Sequence, residues 1–160
     1  MEVTFTNKRY PRHFPVWVAR LGKRRIEGSH LGSDDRHLGH DIVTLVVERE
    51  LGIRDGFFGT VAAGGVFKSM VEHQKPSRRT AIAQNREALD GAELIVHRHW
   101  DAWLQGRPTP CATALGEALE QWMAVEPGGT LTLDFLDLPR HPPRPDRRHR
   151  RDRGRGSAHR

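Results

Sequence analysis

Val3 and Phe5 alternate with Thr4 and Thr6, a period of two that predicts a strand with both apolar side chains on one face. The apolar run from Val16 to Leu21, the charged turn Gly22-Lys23-Arg24 and the stretch from Arg25 to His30 predict a hairpin. The period then changes. From His37 to Leu51 the residues Leu38, Ile42, Leu45 and Val46 fall on one helical face, and Val43, Val47 and Leu51 add a second apolar strip. Gly32-Ser33-Asp34-Asp35 supplies turn and helix-start residues before this segment, and Gly52 stands where a C-terminal glycine cap belongs. So wide an apolar surface predicts a helix buried deep in the core. The β-branched run Ile42 to Val47 also reads as a strand, but the length of the pattern and its flanking charges favour the helix.

Gly56 to Phe67 is small, apolar and punctuated by glycine, which predicts close backbone packing and a short helix over Phe57 to Ala63. Glu72 to Arg78, with Pro76, reads as a loop. From Arg79 to about Gln105 the pattern is helical, with Leu89, Ala92, Val96, Trp100 and Trp103 three and four apart and Asp90-Gly91 as a break point. Thr109-Pro110 opens a further helix with a buried stripe of Leu115, Leu119 and Trp122, and Pro127-Gly128-Gly129 ends it. Leu131, Leu133 and Phe135 then alternate with Thr132 and Asp134 as a half-buried strand. The expected fold is α+β: a small, mostly antiparallel sheet from the N-terminal strands and a C-terminal strand, with three or four helices between them on one face. One domain over residues 1–139 and a disordered, arginine-rich tail over residues 140–160 complete the expected organisation, because nothing apolar and periodic follows Pro139.

The 160 residues carry a formal net charge of +6. Nine arginines against two aspartates from Arg140 onward account for all of it, so the domain itself is near neutral. Arg147, Arg148, Arg150, Arg151 and Arg153 can neutralise phosphates, and the expected partner of the tail is a polyanion bound without sequence preference, since the tail has no aromatic to stack on bases. Tyr10, Phe14 and Trp17, near Lys8, Arg9 and Arg12, form a second basic-aromatic set, although Phe14 and Trp17 read first as core. Cys111 is the only cysteine, which excludes an intramolecular disulfide and any CxxC zinc framework. The opening MEVTFTNKRYPRHF lacks the apolar segment of a secretory signal, and no stretch approaches the roughly 18 to 20 apolar residues that span a bilayer. A cytoplasmic protein without a membrane partner is expected.

The densest chemistry lies on the His37 to Leu51 segment. At 100° per residue, His37, His40, Asp41, Thr44 and Glu48 share an arc of about 100°. Histidine and carboxylate spaced three and four apart can converge on one divalent cation, whose bound water then acts as a nucleophile. The plain alternative is the wetted side of a buried helix, with Asp41 favoured in the first turn by the helix dipole. Glu93, His97 and Asp101, spaced by four, line the edge of the later helix, and ligands from two helices meet if that edge faces His40. His99 points elsewhere. A zinc-protease HExxH motif is excluded because Thr44 stands where the second histidine belongs. The doublet His40-Asp41 is similar to that of HD-type phosphohydrolases, with His30 or His37 and Asp101 available to complete a ligand set, but terminal strands do not suit that all-helical fold. Gly59 to Gly64 has phosphate-loop spacing, yet Gly65 occupies the lysine position; no GxGxxG follows a strand, and no GxSxG occurs.

The stretch His40 to Glu48, HDIVTLVVE, with Leu51-Gly52, Gly56-Phe57-Phe58-Gly59 and Val61-Ala62-Ala63-Gly64, resembles a group of small bacterial proteins of no established activity. Their helix reads approximately HDLVHFVVE, followed by a Gly-aromatic-aromatic-Gly and VAAG-type segment. The resemblance spans roughly residues 38 to 67 and departs at Thr44, where the pattern carries a second histidine; it implies His40, Asp41 and Glu48 as shared positions. Three functions follow from these features. A soluble bacterial binding or structural module without a catalytic motif comes first, a metal-dependent hydrolase centred on His40 and Asp41 second, and a nucleic-acid-associated protein using the tail third. No cofactor is implied beyond a divalent metal on the arc.

Overall fold

The computed structural model describes residues 1–7, 16–29, 38–65 and 85–135. Four strands and four helices are present among them: β1 (Glu2–Thr6), β2 (Val16–Leu21), β3 (Arg24–Ser29), α1 (His40–Leu51), α2 (Phe57–Ala62), α3 (Arg86–Leu104), α4 (Ala112–Met123) and β4 (Thr130–Asp134). The strands form one antiparallel sheet in the order β3-β2-β1-β4, so the first and last strands lie side by side. This is the α+β architecture that the periodicities predict. The Thr109–Pro110 helix starts at Ala112, and Asp90-Gly91 leaves α3 unbroken. The predicted boundary at residue 139, the tail and Arg79 to Gln84 lie outside the described residues.

Period-two patterning gives the sheet one apolar face. The register aligns Ile26, Ala19, Val3 and Leu133 in one row across it, and Gly28, Trp17, Phe5 and Leu131 in the next. Every apolar side chain in these rows is buried. Gly28 has a specific role in the second row: a Cβ there would lie 2.4 Å from the Trp17 ring, so only glycine lets the indole lie across β3.

Seven consecutive residues of α1, Ile42 to Glu48, are buried, which requires neighbours on all sides of the helix. α2, α3 and α4 each pack against it, and one continuous core joins them to the sheet. The reading of the Thr44 and Glu48 side of α1 as wetted is therefore corrected: these residues are 3% and 1% exposed. A helix covered on both sides by apolar neighbours has no wet flank, and its polar groups need internal partners.

Glu48 finds its partners in α2. Gly52, at φ 66°, ends α1 in a left-handed turn, with Gly52 N–H donating to Arg49 C=O and Ile53 N–H to Glu48 C=O. The reversed chain brings the first amides of α2 back to the carboxylate: Phe57 N–H donates to Oε1 at 2.6 Å, and Phe58 and Gly59 N–H donate to Oε2 at 2.9 and 3.1 Å. A Cβ on Gly56 would sit 2.3 Å from Oε1, so glycine there admits the carboxylate. α2 in turn sets Phe58 against Phe5 and Trp17 of the sheet, with ring centroids 6.3 and 5.4 Å apart. Glu48→Ala removes the acceptor of three amides, two of them buried, and is expected to cost about 2–4 kcal/mol in urea denaturation, whereas Glu50→Ala, at an exposed position, stays within about 0.5 kcal/mol. Equal, small effects of the two substitutions would contradict this account of the α1–α2 junction.

Candidate metal centre

The first turn of α1 lies against the middle of α3, and two of the residues spaced by four on α3, Glu93 and His97, face His40. His40 Nε2 is 2.8 Å from Glu93 Oε1, and His97 Nε2 is 3.0 Å from the same oxygen. The three ligand atoms lie within 4.8 Å of one another, the only such group of three among the described residues. The two imidazole centroids are 5.4 Å apart. Trp100, one turn beyond His97, completes an aromatic wall: its ring centroid is 5.8 Å from His40 and 6.3 Å from His97, stacked on the latter at 28°. The buried Trp100 indole nitrogen has no hydrogen-bond partner among the described residues. Side-chain exposure rises from 23% at His40 to 42% at Glu93 and 51% at His97, so one side of the group is open to water.

Asp41 lies behind His40. Its Oδ1 is 3.7 Å from His40 Nδ1, and its Oδ2 accepts a 2.9 Å hydrogen bond from the Trp17 indole N–H. His40 thus has a carboxylate beyond each ring nitrogen. Asp41 first, and Glu93 second, raise its pKa from 6.5 to about 9 against the opposing effect of burial. Glu93 is lowered in turn, chiefly by its hydrogen bond to His40. Two carboxylates flank the His40 ring and favour its protonated form.

These atoms also fit a cation. Nitrogen and oxygen ligands about 2.0–2.1 Å from a tetrahedral zinc stand about 3.3 Å apart. The two separations from Glu93 Oε1, 2.8 and 3.0 Å, are a few tenths of an ångström shorter than this, and the three atoms lie within 4.8 Å of one another. Two imidazoles and one carboxylate make a borderline donor set that suits zinc and similar first-row ions better than calcium or magnesium.

The structure sorts the residues of the predicted arc. His40 is in the group, and Asp41 stands behind it. Glu48 is removed from it as a ligand, because its carboxylate is committed to the α2 amides. Thr44, where the resembled pattern has histidine, turns inward and donates its hydroxyl to His40 C=O at 2.9 Å; the second imidazole comes from α3 instead. Among the α3 residues Glu93 and His97 converge, whereas Asp101 is exposed and brings no oxygen into the group. His99 is turned to Thr109, at 2.8 Å. His30, His37 and the tail arginines Arg147, Arg148, Arg150, Arg151 and Arg153 lie outside the described residues. Trp17, also read as part of a basic-aromatic surface set, is fully buried, and neither its spacing nor that of Trp100 carries a sign of a role beside His40.

No helix among the described residues is long and apolar enough to cross a membrane. Comparison with family models, curated proteins and solved structures found no match for this chain.

The pKa of His40 makes stability depend on pH with a definite sign. A folded value of about 9 above the ordinary 6.5 means that its contribution is complete below pH 6.5 and is lost as pH rises through 9. Glu48, raised by burial from 4.5 to about 7 against its three amide donors, acts in the same direction over the lower window. In metal-free protein an NMR titration is expected to place the His40 midpoint near 9, and the urea midpoint is expected to fall between pH 6.5 and 9. A His40 midpoint near 6.5 with a flat stability profile would contradict this effect of the two carboxylates.

Proposed function

We propose that this chain is a divalent-metal-binding domain in which His40 Nε2, a Glu93 oxygen and His97 Nε2 hold one ion. The convergence of these three atoms from two helices is the observation that carries the reading. Three protein ligands leave a fourth position, and the exposure of Glu93 and His97 puts water there, the arrangement of catalytic rather than structural zinc sites. An ion so held lowers the pKa of its bound water and supplies hydroxide near neutral pH, which supports metal-assisted hydrolysis as the reaction class. A binding or structural module, the first expectation from the sequence, stands here as the second reading, favoured by the hydrogen bond that joins α1 to α3 through His40 and Glu93 without any ion.

Because the chain has ten histidines, metal content alone does not identify the site. Zinc is expected to bind in a 1:1 ratio against a mild chelator and to survive gel filtration. Affinity should weaken as pH falls, since each imidazole must lose a proton to ligate. His97→Ala and Glu93→Ala should each lower affinity by about a hundredfold or more, and His99→Ala should leave it unchanged. Binding that is weak, or that His97→Ala and His99→Ala reduce equally, would leave the group as a structural ion pair.

A further inference from the structure

Asp41 is tied to the buried face of the sheet. The Trp17 indole is fully buried in the sheet row beside Gly28, and its N–H must find an acceptor there. Asp41 Oδ2 is that acceptor. With one oxygen fixed by Trp17, the other is left facing His40 Nδ1, on the opposite side of the ring from Glu93 and His97. An acid in the first turn of a helix is favoured by the dipole alone, but the dipole does not explain why this carboxylate is shared between a core indole and a site histidine.

We infer that Asp41, anchored by Trp17, is the positioning residue of the metal centre: its charge, 3.7 Å from Nδ1, favours the His40 proton on that nitrogen, so that the Nε2 lone pair is presented to the ion. The inference rests on the metal-binding reading above. Carboxylates in this place fix the tautomer and orientation of a ligating imidazole and increase its basicity. Metal affinity is then set partly from the sheet: Gly28 makes room for the indole, the indole holds Asp41, and Asp41 holds the ring.

Asp41→Asn tests the assignment while preserving shape. Trp17 N–H needs an oxygen, so the asparagine carbonyl turns to the indole and its NH2 faces His40 Nδ1. Without the carboxylate charge beside Nδ1, the neutral tautomer protonated on Nε2, which cannot ligate through that nitrogen, is no longer disfavoured. Zinc affinity is expected to fall about 10- to 100-fold, with the urea midpoint changed far less than in Glu48→Ala. In the wild-type zinc complex, nitrogen-15 NMR should show His40 bound through Nε2 with Nδ1 protonated; this measurement stands even if the variant folds poorly. Unchanged affinity in folded Asp41→Asn, or zinc on His40 Nδ1 in the wild type, would overturn the inference and leave the metal centre standing. Failure of the wild-type protein to bind zinc would overturn the metal centre itself, and this inference with it.

Discussion

Burial of α1 on all sides is the constraint from which the rest of the structure follows. With Ile42 to Glu48 enclosed, the helix has no wet flank on which to dispose of polar groups. Charge is confined to its two ends, and each end is resolved by a different neighbour. At the C-terminal end Glu48 takes three backbone amides of α2, which turns a costly buried carboxylate into the joint between two helices. At the N-terminal end Asp41 answers the indole of Trp17, and His40 reaches Glu93 on α3. The same enclosure that excludes water from the middle of α1 thus aligns its first turn with α3 and exposes only the outer edge of the contact.

Two descriptions of that contact share the same atoms. As an ion pair, His40 between Asp41 and Glu93 is a half-exposed charge cluster, and such clusters contribute modestly to stability. His97 joins the same Glu93 oxygen, so both imidazoles present Nε2 to Glu93 Oε1. In the proposed reading these two nitrogens and the Glu93 oxygen are the ligands of one ion, with the Asp41 carboxylate behind the inner ring.

The sheet, its alternation and the existence of all four helices were legible because each rests on local periodicity, from Val3 and Phe5 to Leu131 and Leu133. Helix starts were less so: α1 begins at His40 and not His37, and α4 at Ala112 and not Thr109, since end positions depend on local turns more than on hydrophobic period. Within the site, i to i+4 spacing on α3 disclosed Glu93 and His97, and the doublet disclosed His40 and Asp41. The arc on α1 misassigned Glu48, because angular position on a helix does not tell water from a neighbouring helix N-terminus. The Trp17–Asp41 bond joins residues 24 positions apart across a sheet–helix junction, and no sequence pattern encodes that contact.

The central claim is that His40, Glu93 and His97 share one ion. Anomalous diffraction from a zinc-loaded crystal tests it most directly. A single strong peak is expected about 2.0–2.1 Å from His40 Nε2, His97 Nε2 and a Glu93 oxygen. A crystal whose zinc lies only on other histidines, with His40 still bonded to Glu93, would contradict it.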